Sequence, residues 1–385
     1  MKLGKLCILF TDGDWIESKD QSDSGIRLIQ TGNIGNGEFL YKNDKAKYIS
    51  VDTFKRLNCK EVFPNDILVS RLPEPVGRGC IIPDIGEKMI TAVDCTICRI
   101  NENLVDRKYF CYFLESNAYK TQLEQHVTGT TRKRISRKNL SSVEIDIPEQ
   151  AKQKEVVYKL DRLKKIIQNY NRELDLLDEL VRARFVEMFG DVQDAKKHRS
   201  IQLKDICNTV TGGTPSTKHV EYYNGTIPWI STVSLGPNYI DGTTAKAFIT
   251  QEAVDNSSTK IIPSGSILFG TRVGVGKSSI NQVEMCTNQD IVAIIDLDES
   301  KYNKLYIKYV LDTYQSYFDS IKKGATILGI SSDDLKNIYV PDASLYEQDR
   351  FEKSVKQIDK SRSRIQKSLE ASQELFDSLM QEYFS

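Results

Sequence analysis

The densest basic cluster in the chain is Arg132-Lys133-Arg134 with Arg137-Lys138, next to a turn opened by Gly129-Thr130-Thr131. Cationic side chains on a turn whose amides and hydroxyls can also donate are suited to phosphate. The turn recurs where Lys322-Lys323 precede Gly324-Ala325-Thr326. A shared position with basic neighbours predicts a shared task. Phosphate contacts are expected from Arg132, Lys133, Arg134, Arg137, Arg272, Lys277 and Lys322. The side chains that differ between the copies, Arg132 against Ile327 and Arg134 against Gly329, would suit two different sequences being read. Candidate base readers are Asn33, Arg71 and Arg78 in the first copy and Thr214, Ser231, Thr232 and Arg272 in the second, arginine being the usual bidentate reader of guanine.

Three other patterns could carry chemistry. Gly274-Val275-Gly276-Lys277-Ser278 resembles the end of a phosphate-binding loop, but Thr271 stands where the pattern needs glycine. The following Ser279-Ile280-Asn281 reads as strand, not the helix whose N-terminus would meet phosphate. A glycine hairpin with Arg272 and Lys277 near a DNA groove, or a plain surface hairpin, fits better. Cys95-Thr96-Ile97-Cys98 has the spacing of half a zinc site. No second pair exists, and His126, His198 and His219 are scattered. In a strand, positions three apart face opposite sides, so the two sulfurs should diverge. Tyr302, Tyr306, Tyr309, Tyr314 and Tyr317 could stack on bases, as could Trp229. At this spacing, packing is the better expectation.

These residues must be positioned by something, and the chain is written twice. Gly129-Thr130-Thr131 leads through Ile135-Ser136 and Leu140 to Pro148, as Gly324-Ala325-Thr326 leads through Ile330-Ser331 and Leu335 to Pro341. Phe63-Pro64-Asn65-Asp66-Ile67-Leu68 matches Ile262-Pro263-Ser264-Gly265-Ser266-Ile267-Leu268. Paired segments are offset by about 195–200 residues, a domain duplication. Short apolar runs between turn residues predict mixed α/β heads. The predicted domains are 1–148, a spacer 149–190, 191–345 and a second spacer 346–385. Glu149-Gln150 and Glu347-Gln348 are matched as the spacer openings.

Val156, Leu160, Leu163, Ile167, Tyr170, Leu174, Leu177 and Val181 step by four and three, a coiled-coil seam. Phe351, Val355, Ile358, Ile365, Leu369, Phe376 and Leu379 keep the step, with Arg362 and Ser372 as polar interruptions. The two helices are expected to pair antiparallel with a head at each end. About 35 residues at 1.5 Å each would span on the order of 50 Å, roughly one and a half duplex turns.

Lys+Arg and Asp+Glu both number 53, so net charge is zero. This counts against a simple nucleic-acid binder unless charge is segregated. No apolar run reaches membrane length and no signal peptide opens the chain, so a cytoplasmic protein with no membrane contact is expected, its eight cysteines reduced.

In order and duplication these motifs resemble the specificity subunits of type I restriction–modification enzymes. Thr211-Gly212-Gly213-Thr214-Pro215-Ser216 with Ile227-Pro228-Trp229-Ile230 resembles the family's entry into a target recognition domain. The two Gly-Thr-Thr-like segments resemble its exit, and Phe189-Gly190-Asp191 the close of the first spacer. The resemblance implies two pseudo-symmetric recognition domains, each reading half of a split double-stranded DNA target in the major groove. It implies antiparallel helices that set the gap and dock two methyltransferase subunits carrying S-adenosylmethionine. Two motor–nuclease subunits using ATP and Mg would join in some assemblies. The chain itself would be non-catalytic and bind no cofactor; it contains neither Asn-Pro-Pro nor Asp-Pro-Pro. Two departures stand out. The first head lacks the Gly-Gly-Thr-Pro entry, and Leu3-Gly4-Lys5-Leu6 begins it without the helical extension many members carry. The rival readings are a coiled-coil adaptor whose heads bind proteins, which the neutral charge favours, and an ATP-dependent enzyme using Gly274–Ser278.

Overall fold

Short polar side chains fix where helices begin, and the same caps appear twice. The computed structural model describes residues 1–190, 200–324 and 328–385; Asp191, His198, Ala325, Thr326 and Ile327, named above, lie outside them. The first copy runs β1 (Cys7–Asp12), β2 (Gln21–Ser22), β3 (Ile26–Ile29), β4 (Tyr48–Ile49), α1 (Val51–Arg56), β5 (Glu61–Val62) and β6 (Ile67–Ser70). It continues through β7 (Gly79–Ile81), β8 (Met89–Thr91), β9 (Cys95–Ile100), α2 (Arg107–Glu115), α3 (Asn117–Glu124), α4 (Arg137–Ser142) and α5 (Gln150–Phe189). The second runs β10 (Ser200–Gln202), β11 (Asn208–Thr211), β12 (Ile227–Ile230), β13 (Tyr239–Ile240), β14 (Ala247–Ile249), α6 (Gln251–Asp255), β15 (Ile261–Ile262) and β16 (Ile267–Gly270). It closes with β17 (Ser278–Asn281), β18 (Met285–Thr287), β19 (Ile291–Ile295), α7 (Lys304–Thr313), α8 (Gln315–Ile321), α9 (Ser332–Lys336), β20 (Tyr339–Pro341) and α10 (Leu345–Phe384).

Ser50 caps α1 and Thr250 caps α6. Asp106 caps α2 and Asn303 caps α7, each side chain taking two backbone N–H groups. Ser136 and Ser331 cap α4 and α9. Each oxygen satisfies donors that a helix N-terminus otherwise leaves bare. By internal packing the chain divides into two units, Met1–Asn171 with Lys367–Ser385, and Arg172–Gln366, so both long helices are shared.

In unit one, sheet β1-β9-β6-β7 stands with sheet β2-β4-β3-β8-β5. Unit two repeats this as β11-β19-β16-β17-β13 and β14-β12-β18-β15. The apolar runs Ile67–Ser70 and Ile267–Gly270 are buried throughout because each is an interior strand. β3 lies parallel to β8, and β12 parallel to β18. Strand β9 turns Cys95 and Cys98 into different apolar clusters, as the period of two requires. Burial pushes the Cys95 thiol up to about 11.

The two long helices bury apolar residues against each other in both units. Val156 and Leu160 are buried with Met380 and Phe384 in unit one, against Tyr109 and Phe113 of α2. Val181 and Phe185 are buried with Phe351 and Val355 in unit two. Early α5 thus meets late α10, and late α5 meets early α10, so the pair is antiparallel within each unit. Leu163, Ile167, Tyr170, Leu174, Leu177, Ile358, Ile365, Leu369, Phe376 and Leu379 are half-buried, Phe376 with its ring against Tyr112 of α2. Arg362 interrupts the seam without a mismatch, because its guanidinium pairs with Asp178 across it at 2.6 Å. Ser372 returns its hydroxyl to Ser368 O.

One buried glutamine locks each head to its spacer. Gln153 accepts from the Asp106 N–H at 2.6 Å and donates to Leu104 O and Pro148 O. Gln348 accepts from the Asn303 N–H at 2.8 Å and donates to Lys301 O and Ala343 O. The structural counterpart of Gln348 is therefore Gln153, not Gln150; the matched Glu-Gln dipeptides lie one helical turn out of register. Among the described residues no helix is long and apolar enough to cross a membrane.

Candidate nucleic-acid interface

Four loops separated in sequence meet at one edge of unit one, and a single arginine ties them together. Arg71 Nη2 donates to Val93 O at 2.6 Å and Nη1 to Ile135 O at 3.3 Å. Its Nε lies 3.3 Å from Asp12 Oδ1. The loop after β1, the β6–β7 hairpin, the β8–β9 turn and the segment before α4 are thereby joined. A close turn at Gly13 allows this: a Cβ there would meet Thr91 O at 2.3 Å. Arg132, Lys133, Arg134, Arg137 and Lys138 are exposed on the rim. Lys133 reaches Glu74 at the hairpin tip, 2.7 Å away, and that carboxylate raises the ammonium's pKa. Arg137 lies beside Thr11 and Asp12. Trp15 is exposed, its indole N–H on Glu17.

Unit two builds the same edge with other residues. Thr271 N and Oγ1 both donate to Asp290 O, and Ile330 N donates to Thr271 O at 2.8 Å. A Cβ at Gly212 would meet Thr287 Oγ1 at 2.2 Å, so glycine is required here as at Gly13. Trp229 is buried beneath this entry loop with its indole donating to Gly213 O. Gly213 N donates to Thr287 O as Asp14 N donates to Thr91 O. That equivalence makes Thr214 the counterpart of Trp15, so the first head has the entry turn without the Gly-Gly-Thr-Pro signature. Thr214 is exposed and pairs with Gln289. Arg272 is exposed 3.6 Å from Asp290, Lys277 is exposed, and Lys322 pairs with Asp319.

The expected base readers separate into two groups. Asn33 is buried: its carbonyl accepts from Gln30 N and its amide donates to Leu40 O. Arg78 spends its guanidinium on Ile34 O and Thr31 O. Arg71 is the tie just described, and Thr232 is buried in a short helical turn. These four have their polar groups committed, or buried, inside their own heads. Ser231 is half-buried, while Thr214 and Arg272 remain at the edge. Sequence reasoning missed Trp15, Glu74, Val273, Gln289 and Leu328. Their types carry no motif, and only the repeat, aligned loop by loop, could have pointed to them.

Gly274 and Gly276 adopt positive φ, and strand β17 follows them directly. The hairpin therefore lacks the helix a nucleotide-binding loop needs. Tyr306 is buried, and Tyr314 largely so, its hydroxyl on Tyr339 O. Among the described residues no group of three or more His, Cys, Asp or Glu could hold a metal ion. The arrangement offers donors and cations on a loop edge.

Comparison with known proteins follows the same duplication. Residues 1–178 and 196–373 each match the type I restriction modification DNA specificity domain. The chain is 34% identical over 151 residues to the type I restriction enzyme MjaIX specificity subunit of Methanocaldococcus jannaschii, covering 39% of this chain and 35% of that protein. It is 28% identical over 282 residues to the EcoR124I/EcoR124II specificity subunit of Escherichia coli, covering 69% and 64%. The chain thus spans less than two thirds of either relative. Among solved structures, a chain from work on assembly and conformational transition of the type I R-M system superposes with TM-score 0.59 at 15% identity, covering 100% of this chain and 96% of that one. The S subunit from M. genitalium gives 0.55 at 14%, covering 100% and 95%.

Proposed function

Since the chain belongs to the type I restriction modification DNA specificity family, we propose that it is the sequence-reading subunit of such a system and has no catalysis of its own. It binds double-stranded DNA. Each four-loop edge reads one half of a bipartite target in the major groove, and the paired helices α5 and α10 set the unspecified gap. Outward residues of those helices dock two methyltransferase subunits, which carry S-adenosylmethionine. Two motor–nuclease subunits, where present, bring ATP and Mg.

The observation that carries this reading is the duplicated edge, built from the same four loops and rimmed by cations in both units. It answers the objection from zero net charge, because local positive charge is what phosphate requires. The rival adaptor reading has no such feature in its favour.

Retention on duplex DNA by the chain with its methyltransferase partner tests the proposal. Binding should fall steeply as salt rises, and Arg132→Ala with Arg134→Ala should reduce the slope of log K against log salt by about 0.9 per lost phosphate contact. Binding insensitive to salt, or no retention at low salt, would contradict it.

A further inference from the structure

The two edges share their backbone but differ in chemistry at one corner. Thr128 and Arg134 exchange a pair of backbone hydrogen bonds, as Lys323 and Gly329 do. One residue back from Arg134 and Gly329, Lys133 corresponds to Leu328. Ser70 with Gly77 and Arg78 closes the first hairpin, as Gly270 with Gly276 and Lys277 closes the second. Glu74 stands at the first tip and Val273 at the second. The loops lie together in both heads: Ile135 N donates to Arg71 O, and a Cβ on Gly329 would meet Thr271 O at 2.8 Å and Arg272 Cγ at 2.9 Å.

Where unit one places an ion pair, Glu74 with Lys133, unit two therefore places two aliphatic side chains. Val273 is 51% exposed and Leu328 56%. Each sits beside the donors of the proposed interface. Base edges differ in the same two ways. Carboxylates accept from cytosine N4 and cations donate to guanine, whereas an apolar side chain distinguishes only the thymine C5 methyl group.

Resting on the DNA-reading function, we propose that this corner determines specificity in each head. Glu74 and Lys133 select a G·C pair in the half read by unit one. Val273 and Leu328 select an A·T pair by thymine methyl contact in the half read by unit two.

The test uses the full chain with its methyltransferase partner. The methylated target is mapped first, then mapped again for Glu74→Val with Lys133→Leu. The swap should change the bases required in one half only, identifying it as unit one's, while the intact other half shows that the variant is folded. In that other half, deoxyuridine in place of one thymine removes only the methyl group. It should weaken retention about fourfold, the worth of one buried methyl. The Val273→Ala, Leu328→Ala variant should not distinguish the two duplexes. An unchanged target after the swap, a unit-two half without an A·T pair, or an equal deoxyuridine effect in both proteins would overturn the inference. If the unmodified complex neither methylates nor retains any specific duplex, the DNA-reading function itself fails and takes this corner with it.

Discussion

Arg71 does for unit one what no surface arginine would do. Its guanidinium joins the β8–β9 turn and the segment before α4 by hydrogen bonds, and pairs with Asp12. Arg71→Ala would leave two carbonyls and one carboxylate without that partner. Leaving a buried polar group unsatisfied costs about 1–3 kcal/mol. Urea unfolding should show a loss of that size together with weakened DNA retention, whereas Arg132→Ala should weaken retention with unchanged stability. Equal stability of the Arg71→Ala and Arg132→Ala proteins would contradict the assignment. This division was not legible in the sequence. Arg71, Arg78 and Arg132 are the same residue type in polar loops, and only the fold decides which guanidinium meets backbone. The sulfurs of Cys95 and Cys98 were legible, because strand periodicity alone sends them to opposite faces.

The spacer helices show a similar partition. The step of four and three runs along buried and half-buried residues in both, since side chains three and four apart share a helix face. The opening was harder. Glu-Gln occurs near the start of both spacers, and matching the dipeptides sets the two helices one turn out of register. The better signal was glutamine three residues before the first buried seam residue, Gln153 before Val156 and Gln348 before Phe351. Gln153→Ala and Gln348→Ala should each cost about 1–3 kcal/mol, because a capped helix start and two carbonyls lose their partner. Thermal unfolding of the full chain checks this, and a change near zero would refute the lock. On the outward face Leu176 and Leu180 are half-exposed and one turn apart. Leu176→Glu with Leu180→Glu should abolish co-purification of the methyltransferase partner while the chain's own unfolding midpoint stays put. Retained co-purification would place docking elsewhere.

At the scale of the molecule, the duplication was legible because paired segments kept a nearly constant offset and turn residues kept their order. The four-loop edge was not, since its members are far apart in sequence and the first head's entry turn shares geometry, not letters, with Gly212-Gly213-Thr214. A molecule that presents two such edges, joined through a shared pair of helices, should require two short base blocks with a constant count of unspecified positions between them. Mapping modified adenines in DNA exposed to the chain and its methyltransferase partner measures this directly. The account predicts a split motif with one fixed gap; a single uninterrupted motif, or two blocks at variable distance, would contradict it.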